Sequence, residues 1–248
     1  MEKINKLKKL FTKYNLDGYL IPKNDEFFGE YIPANKDRLK FISNFSGSYG
    51  SALILRNKNY LFIDGRYTLQ AKIQSGKFFK IITIPDKFPS DILKKNKLVI
   101  GFDPTLHTKN TLKTFFSGTR CKLISINQNL IDKIWDDKKD NSLKKFFTLP
   151  ENAVGESYKS KINKLIRILN KKKADLQFIT ASENVAWLLN IRGQDSDFSP
   201  IPNSYLVIES EKKIKFFCDL RKINYSLKKK MKGIQIIDIK KIDLFISK

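Results

Sequence analysis

The amino-acid sequence predicts an α/β protein of two tandem units with mixed sheets covered by helices on both faces. Three observations predict it. Short apolar, strand-like runs alternate with amphipathic segments through the N-terminal half; two of those runs are close enough to form a hairpin; and the opening segment recurs in the second half.

The elements follow in order. MEKINKLKKLFTKYNL places Ile4, Leu7, Leu10 and Phe11 on one helical face with lysines around it, and GYLIP (Gly18 to Pro22) is an apolar strand. A loop with Asp25, Glu26 and Tyr31 leads to a helical turn at Leu39 to Ile42. Ser51 to Leu55 and Tyr60 to Ile63 form a hairpin through the turn Arg56-Asn-Lys-Asn59. A helix starts near Arg66, strands recur at Lys80 to Ile84, Leu98 to Ile100 and Leu123 to Ile126, and a helix at Asn110 to Phe116 joins the last two.

The charged, proline-containing stretch from Trp135 to Val154 reads as a linker, so the division is residues 1–138, a linker at 139–155, and a second unit at 156–248. Lys3-Ile-Asn-Lys-Leu7 recurs as Lys161-Ile-Asn-Lys-Leu165, Asp17 falls on Asp175, and Phe62-Ile-Asp-Gly-Arg66 has a counterpart in Phe216 to Arg221. Order and spacing together indicate an internal duplication. At the later offset the second copy lacks counterparts of LVIGFDP, the helix after it and LISIN. It is either a shortened variant or a domain cut off by the end of the chain, and the reading favours the cut.

Composition narrows the function. The 248 residues are 41% hydrophobic and 29% charged, enough for real cores, and no apolar run approaches the roughly 20 residues of a membrane span. With no apolar signal core after the first helix, a cytoplasmic protein is expected. Cys121 and Cys218 lie far apart without metal-ligand spacing and read as reduced thiols. The net charge of +23 points first to nucleic acid, but only seven of the 48 basic residues are arginine and the lysines are spread end to end. A solvated lysine surface fits better than specific phosphate or base recognition.

The chemical inventory is sparse. The one histidine, His107, reads as exposed or capping, which leaves His-based triads and metal centres little support. Gly47-Ser-Tyr-Gly50 lacks phosphate-loop spacing and reads as a tight turn. Asp64 and Asp103 at strand ends are a conceivable metal-binding pair, but Asp64-Gly65 is better explained as a strand-to-helix turn with an acid at the helix start.

Tyr31-Ile-Pro33, Arg38 with Phe41-Ile-Ser-Asn-Phe-Ser-Gly-Ser48, and Asp64-Gly-Arg-Tyr67 together resemble the first domain of the aminopeptidase P family in the creatinase/prolidase superfamily. Asn129 to Trp135 is similar to that domain's end, and Ala181 to Asp195, with Pro200 and Ser204-Tyr205, to the second domain of the three-domain form. Tyr49 and Asn184 depart from the usual pattern.

The resemblance implies two tandem creatinase N-terminal, ribonuclease H-like α/β/α domains with mixed sheets, the second incomplete. It implies a parent hydrolase that removes the residue before proline from peptide N-termini and acts as a homodimer. Two divalent metal ions, typically manganese, would be held in a C-terminal pita-bread domain that this chain lacks. It places Arg66 at the bound peptide, where a permanently charged fork suits a carboxylate or carbonyl and Gly65 permits close approach. The competing role for Arg66 is an ion pair with Asp64 that fixes the turn. Tyr31, Asp64, Tyr67, Arg192 and Asp195 are entrance or structural candidates; Arg192-Gly193 reads first as a helix end. The N-terminal part of a related dipeptidase and a basic, non-enzymatic binding module are the alternatives.

Overall fold

A computed structural model describes residues 1–138 and 143–247. The chain divides into two compact units, the first built from Met1–Glu26 and Ala34–Asp140, the second from Phe27–Pro33 and Asn141–Lys248.

In the first unit, α1 (Glu2–Lys13), β1 (Gly18–Pro22), α2 (Arg38–Ser43), β2 (Gly50–Leu55), β3 (Asn59–Asp64), α3 (Thr68–Ser75), β4 (Lys80–Ile84), α4 (Pro89–Leu93), β5 (Val99–Phe102), α5 (Lys109–Phe116) and β6 (Lys122–Ser125) follow one another. The sheet order is β4-β3-β2-β1-β5-β6. β1, β2 and β3 are antiparallel neighbours, whereas β4, β5 and β6 each add in parallel. All of β1 is buried because the sheet is covered on both sides. Tyr19 and Ile21 face Ile4, Leu7 and Phe11 of α1, Leu39 and Ile42 of α2, and Ala71 of α3. Leu20 faces the opposite way, among Leu93 of α4 and Phe115 and Phe116 of α5. Each fully buried large side chain in these layers contributes about 1.5–3 kcal/mol relative to exposure.

The second unit comprises β7 (Phe147–Thr148), α6 (Glu151–Val154), α7 (Tyr158–Lys171), β8 (Leu176–Ile179), α8 (Ser182–Leu189), β9 (Ile191–Arg192), β10 (Ser204–Glu209), β11 (Ile214–Cys218), α9 (Tyr225–Lys230), β12 (Gln235–Asp238) and α10 (Ile242–Ile246). Its main sheet runs β12-β11-β10-β8, with β12 parallel to β11 and the other pairs antiparallel, while β7 and β9 pair separately. That is the β4-β3-β2-β1 half of the first sheet; among the described residues nothing pairs with the outer edge of β8. α7, α8 and α9 cover one face, and Phe245 of α10 meets Phe217 on the other at 5.2 Å.

The duplication extends to side-chain detail. Asn15 and Lys173 end α1 and α7 in the same left-handed conformation, φ 51°. Lys3 donates to the Phe41 carbonyl at 3.0 Å beneath its own cation–π contact with that ring, and Lys161 does the same to Trp187 at 2.8 Å. Three residues beyond each ring, Asn44 and Asn190 close α2 and α8 in the left-handed region.

Two expectations need correction. Of the stretch 139–155 read as a linker, residues 139–142 lie outside the described residues, but the part from Leu143 onward belongs to the second unit. Phe146 is fully buried in its core and β7 pairs with β9, because an aromatic ring among lysines still gains by burial. His107 is buried rather than exposed, edge-on to Phe102 at 5.8 Å; burial lowers its pKa to about 4 and keeps it neutral, against the opposing pull of Asp103.

Arg38 is the buried ionic centre of the first unit. Its Nε and Nη2 form a fork on Asp132 at 2.9 and 2.8 Å, and Nη2 also donates to Glu26 at 2.7 Å. Burial alone would raise both carboxyls; Arg38 with Lys36 at Glu26, and Arg38 with Lys138 at Asp132, more than reverse it, holding them below their ordinary 4.5 and 3.8. Arg38→Met takes the buried guanidinium away from both carboxylates, at a cost of about 3 kcal/mol. Urea unfolding read from Trp135, which stacks on Phe41, in a Trp187→Phe background checks this. Because the folded pKa values are depressed, the loss is full above the ordinary carboxylate range and shrinks as pH falls through the lowered values.

Candidate functional site

At the end of β3 the chain must leave the sheet for α3, and Asp64 makes that turn. Its Oδ1 accepts the Arg66 amide at 2.9 Å, closing a 3₁₀ turn over Gly65–Tyr67, and the same oxygen accepts Arg66 Nε at 2.9 Å while Oδ2 takes Nη2 at 3.3 Å. The hydrogen bonds from Arg66 depress the Asp64 carboxyl, and Asp64 raises the guanidinium in turn. Tyr67 completes the group: its hydroxyl lies 2.7 Å from Ser48 Oγ and its ring sits 5.3 Å from the guanidinium. The hydrogen bond with Ser48 lowers the phenol's pKa. The Arg66 side chain nevertheless remains 69% exposed. Thus Asp64, Arg66 and Tyr67 come together, and the arginine is both turn-locked and presented to solvent.

The same device recurs. Asp219 accepts the Arg221 amide at 3.0 Å and holds its guanidinium by Nε and Nη2, and Asp238 and Asp103 cap the turns after β12 and β5 through the amides of Lys240 and Thr105. Asp103 also accepts from Asn129 Nδ2 at 2.8 Å, so Asp64 and Asp103 are each committed to a turn. Among the described residues no group of three or more His, Cys, Asp or Glu is placed to hold a metal. The described residues therefore do not fit a two-metal centre.

The remaining candidates lie in the second unit. Tyr31 belongs to the strap Phe27–Pro33, where Phe27 stacks on Tyr205 at 5.2 Å and the Tyr31 carbonyl accepts from Ser196 Oγ at 2.9 Å. Arg192 Nη1 donates to the carbonyls of Ala186 and Ile191, the end-capping role read from sequence. The left-handed residue that stops α8 is Asn190, however, and Gly193 serves close packing, since a Cβ there would lie 2.7 Å from Pro202 Cα. Asp195 is buried, accepts the Asn203 amide at 2.8 Å and is ion-paired with Lys222. Cys121 and Cys218 are free thiols; burial, first of all, pushes the latter up to about 12. No helix of the described residues is long and apolar enough to cross a membrane.

Sequence reasoning did not reach Lys161 or Phe198. Lys161 is buried and also donates to Asn190 Oδ1 at 2.7 Å; the KINKL repeat was its signal. Phe198 lies in the left-handed region at φ 65° and is 90% exposed, a conformation no sequence pattern encodes.

Comparison with known proteins fits this geometry. Residues 3–134 match the family model described as Creatinase/Prolidase N-terminal domain, and residues 137–248 match a second model of the same description. A probable Xaa-Pro aminopeptidase P of Laccaria bicolor is 34% identical over 87% of this chain and 35% of its own length. Xaa-Pro aminopeptidase 1 of Dictyostelium discoideum is 32% identical over 95% and 40%. A crystal structure of X-prolyl aminopeptidase from Caenorhabditis elegans, a cytosolic enzyme with a di-nuclear active site, superposes with TM-score 0.91 at 31% identity, covering 99% of this chain and 43% of that one. The chain belongs to the creatinase/prolidase N-terminal domain family. It spans about 35–40% of the length of these curated relatives.

The Asp64 turn yields a direct test. Asp64→Asn removes the charge-assisted lock, so the Arg66 amide exchanges faster with solvent while the melting temperature barely moves, because the pair is exposed. Site-resolved hydrogen exchange showing unchanged Arg66 protection would contradict it.

Proposed function

We propose that this chain is the N-terminal, non-catalytic portion of a metal-dependent Xaa-Pro aminopeptidase, cytoplasmic and homodimeric, that removes the N-terminal residue from peptides with proline in second position. In this reading the two units shape the substrate entrance and contribute to the dimer. The two divalent ions, manganese by expectation, are held by a further part of a longer protein. Arg66 is the residue of the first domain that meets the peptide.

The observation that carries the reading is Gly65. The turn does not need a glycine: a Cβ at Gly65 would make only an ordinary 3.6 Å contact with Thr83 Cγ2, and the corresponding residue of the second unit is Leu220, 45% exposed. The bare backbone beside Arg66 is therefore free to serve approach by a ligand, next to a fork fixed by Asp64 and backed by Tyr67. A guanidinium so held loses little freedom on binding and retains full charge. The Xaa-Pro aminopeptidases among its relatives supply the substrate class.

Two outcomes follow. The 248-residue chain purified alone releases no N-terminal residue from an Ala-Pro peptide with or without manganese, since its described residues hold no metal-ligand cluster to activate water; manganese-dependent turnover by this chain would refute the division of labour. In the longer protein, Arg66→Ala lowers kcat/KM roughly 10- to 100-fold, the range for losing a hydrogen bond to a charged group, and Arg66→Lys restores part of it. Normal kinetics in a folded Arg66→Ala protein would remove Arg66 from the substrate.

A further inference from the structure

We infer that the aromatic tip formed by Tyr31 and Phe198 in the second unit is a docking surface for a positively charged peptide segment.

The starting point is that Phe198 is doubly unfavourable where it stands. It occupies the left-handed region at φ 65°, which strains a residue bearing a Cβ, and its ring is 90% exposed, forgoing the gain of burial. Glycine or asparagine would suit that backbone better. Phe28 on the strap repeats the combination at φ 55° and 46% exposure. Apolar rings held outward on strained backbone gain nothing for the fold, so their return lies in a contact made by the surface.

The surface is also tethered. Ser196 and Ser199 form a β-bridge that pinches the loop carrying Phe198, and Ser196 Oγ holds the Tyr31 carbonyl. Phe27 anchors the strap on Tyr205, and the Tyr31 ring meets Phe198 edge-on, centroids 5.4 Å apart. Tethering of the backbone and the ring-ring contact lower the ordering cost of binding.

Charge selects the occupant. On a chain of net charge +23, each aromatic is immediately preceded by an exposed acid, Glu30 before Tyr31 and Asp197 before Phe198. Ring faces attract cations, and the neighbouring carboxylates add to the attraction. An arginine- or lysine-bearing segment therefore matches the tip, whereas an acidic one is drawn to the lysine surface elsewhere. This inference stands apart from the aminopeptidase reading and requires no Xaa-Pro chemistry.

The test is anisotropy titration of the full 248-residue chain with fluorescein-labelled, N-acetylated peptides of four Gly-Arg repeats or four Gly-Glu repeats at low salt. The Gly-Arg peptide is expected to bind, with Phe198→Gly and Tyr31→Ala each weakening it about two- to fivefold, the size of an exposed cation–π contact. Asp197→Asn and Glu30→Gln weaken it further in combination. Phe198→Gly keeps or raises the melting temperature, because glycine accepts the positive φ, so lost binding is not lost folding. Unchanged Gly-Arg affinity in folded Phe198→Gly overturns the proposal. So does equal sensitivity of the Gly-Glu peptide, or a shift from dimer to monomer in sedimentation with peptide affinity intact, which makes the tip a contact between copies.

Discussion

Complete burial of β1 is the constraint on which the first unit depends. Every residue from Gly18 to Pro22 is out of water, so neither edge nor either face of that strand is left open. Its backbone groups are satisfied by β2 on one side and β5 on the other, and its alternating side chains by α1, α2 and α3 on one face and α4 and α5 on the other. Gly18 shows how tight the arrangement is, since a Cβ there would fall 2.5 Å from Leu55 Cδ2 and 2.9 Å from the Ile54 carbonyl. Helices on both faces require the chain to cross the sheet, and each crossing ends a strand with a turn. The exposed chemistry is therefore collected at strand ends.

How those turns are made connects the fold to the candidate site. Asp64, Asp103, Asp219 and Asp238 all end strands and all cap a 3₁₀ turn by accepting the amide two residues on. An aspartate does this because its short carboxylate reaches back to its own chain. Where the residue two on is arginine, the same carboxylate also fixes the guanidinium, so structure and presentation come from one side chain. The turn reading and the ligand reading of Arg66 are therefore not exclusive.

Much of the fold was legible because burial is periodic. Ile4, Leu7 and Phe11 show a helical face in the sequence, and the hairpin of β2 and β3 shows as two apolar runs around a polar turn. The duplication was legible as KINKL. Its meaning was not, because the capping of Phe41 and Trp187 carbonyls by Lys3 and Lys161 depends on which helices cross. Phe146 is lost among lysines that imitate a linker, and the burial of His107, expected to be exposed or capping, leaves no trace because a lone histidine carries no pattern. Of the site, Asp64, Arg66 and Tyr67 were visible as a contiguous string, while the outward Phe198 was not, since φ leaves no trace in residue order.

Comparison of the two units separates what the fold demands from what it merely permits. Positions that do the same mechanical work keep their residue type: Asn44 and Asn190 at helix ends, Lys3 and Lys161 beneath aromatic carbonyls, Asp64 and Asp219 at strand ends. Gly193 is demanded as well, by Pro202 at its flank. Gly65 against Leu220, like Asn15 against Lys173, is a position where identical mechanics carry different residues, and Gly65 is the one beside the DGRY arginine. An internal repeat thus acts as its own control: the Asp–Arg lock is explained by the turn because both units have it, whereas the open flank of Arg66 is not explained by the turn because only one unit has it. The difference, rather than the shared lock, is what the proposed ligand role of Arg66 rests on.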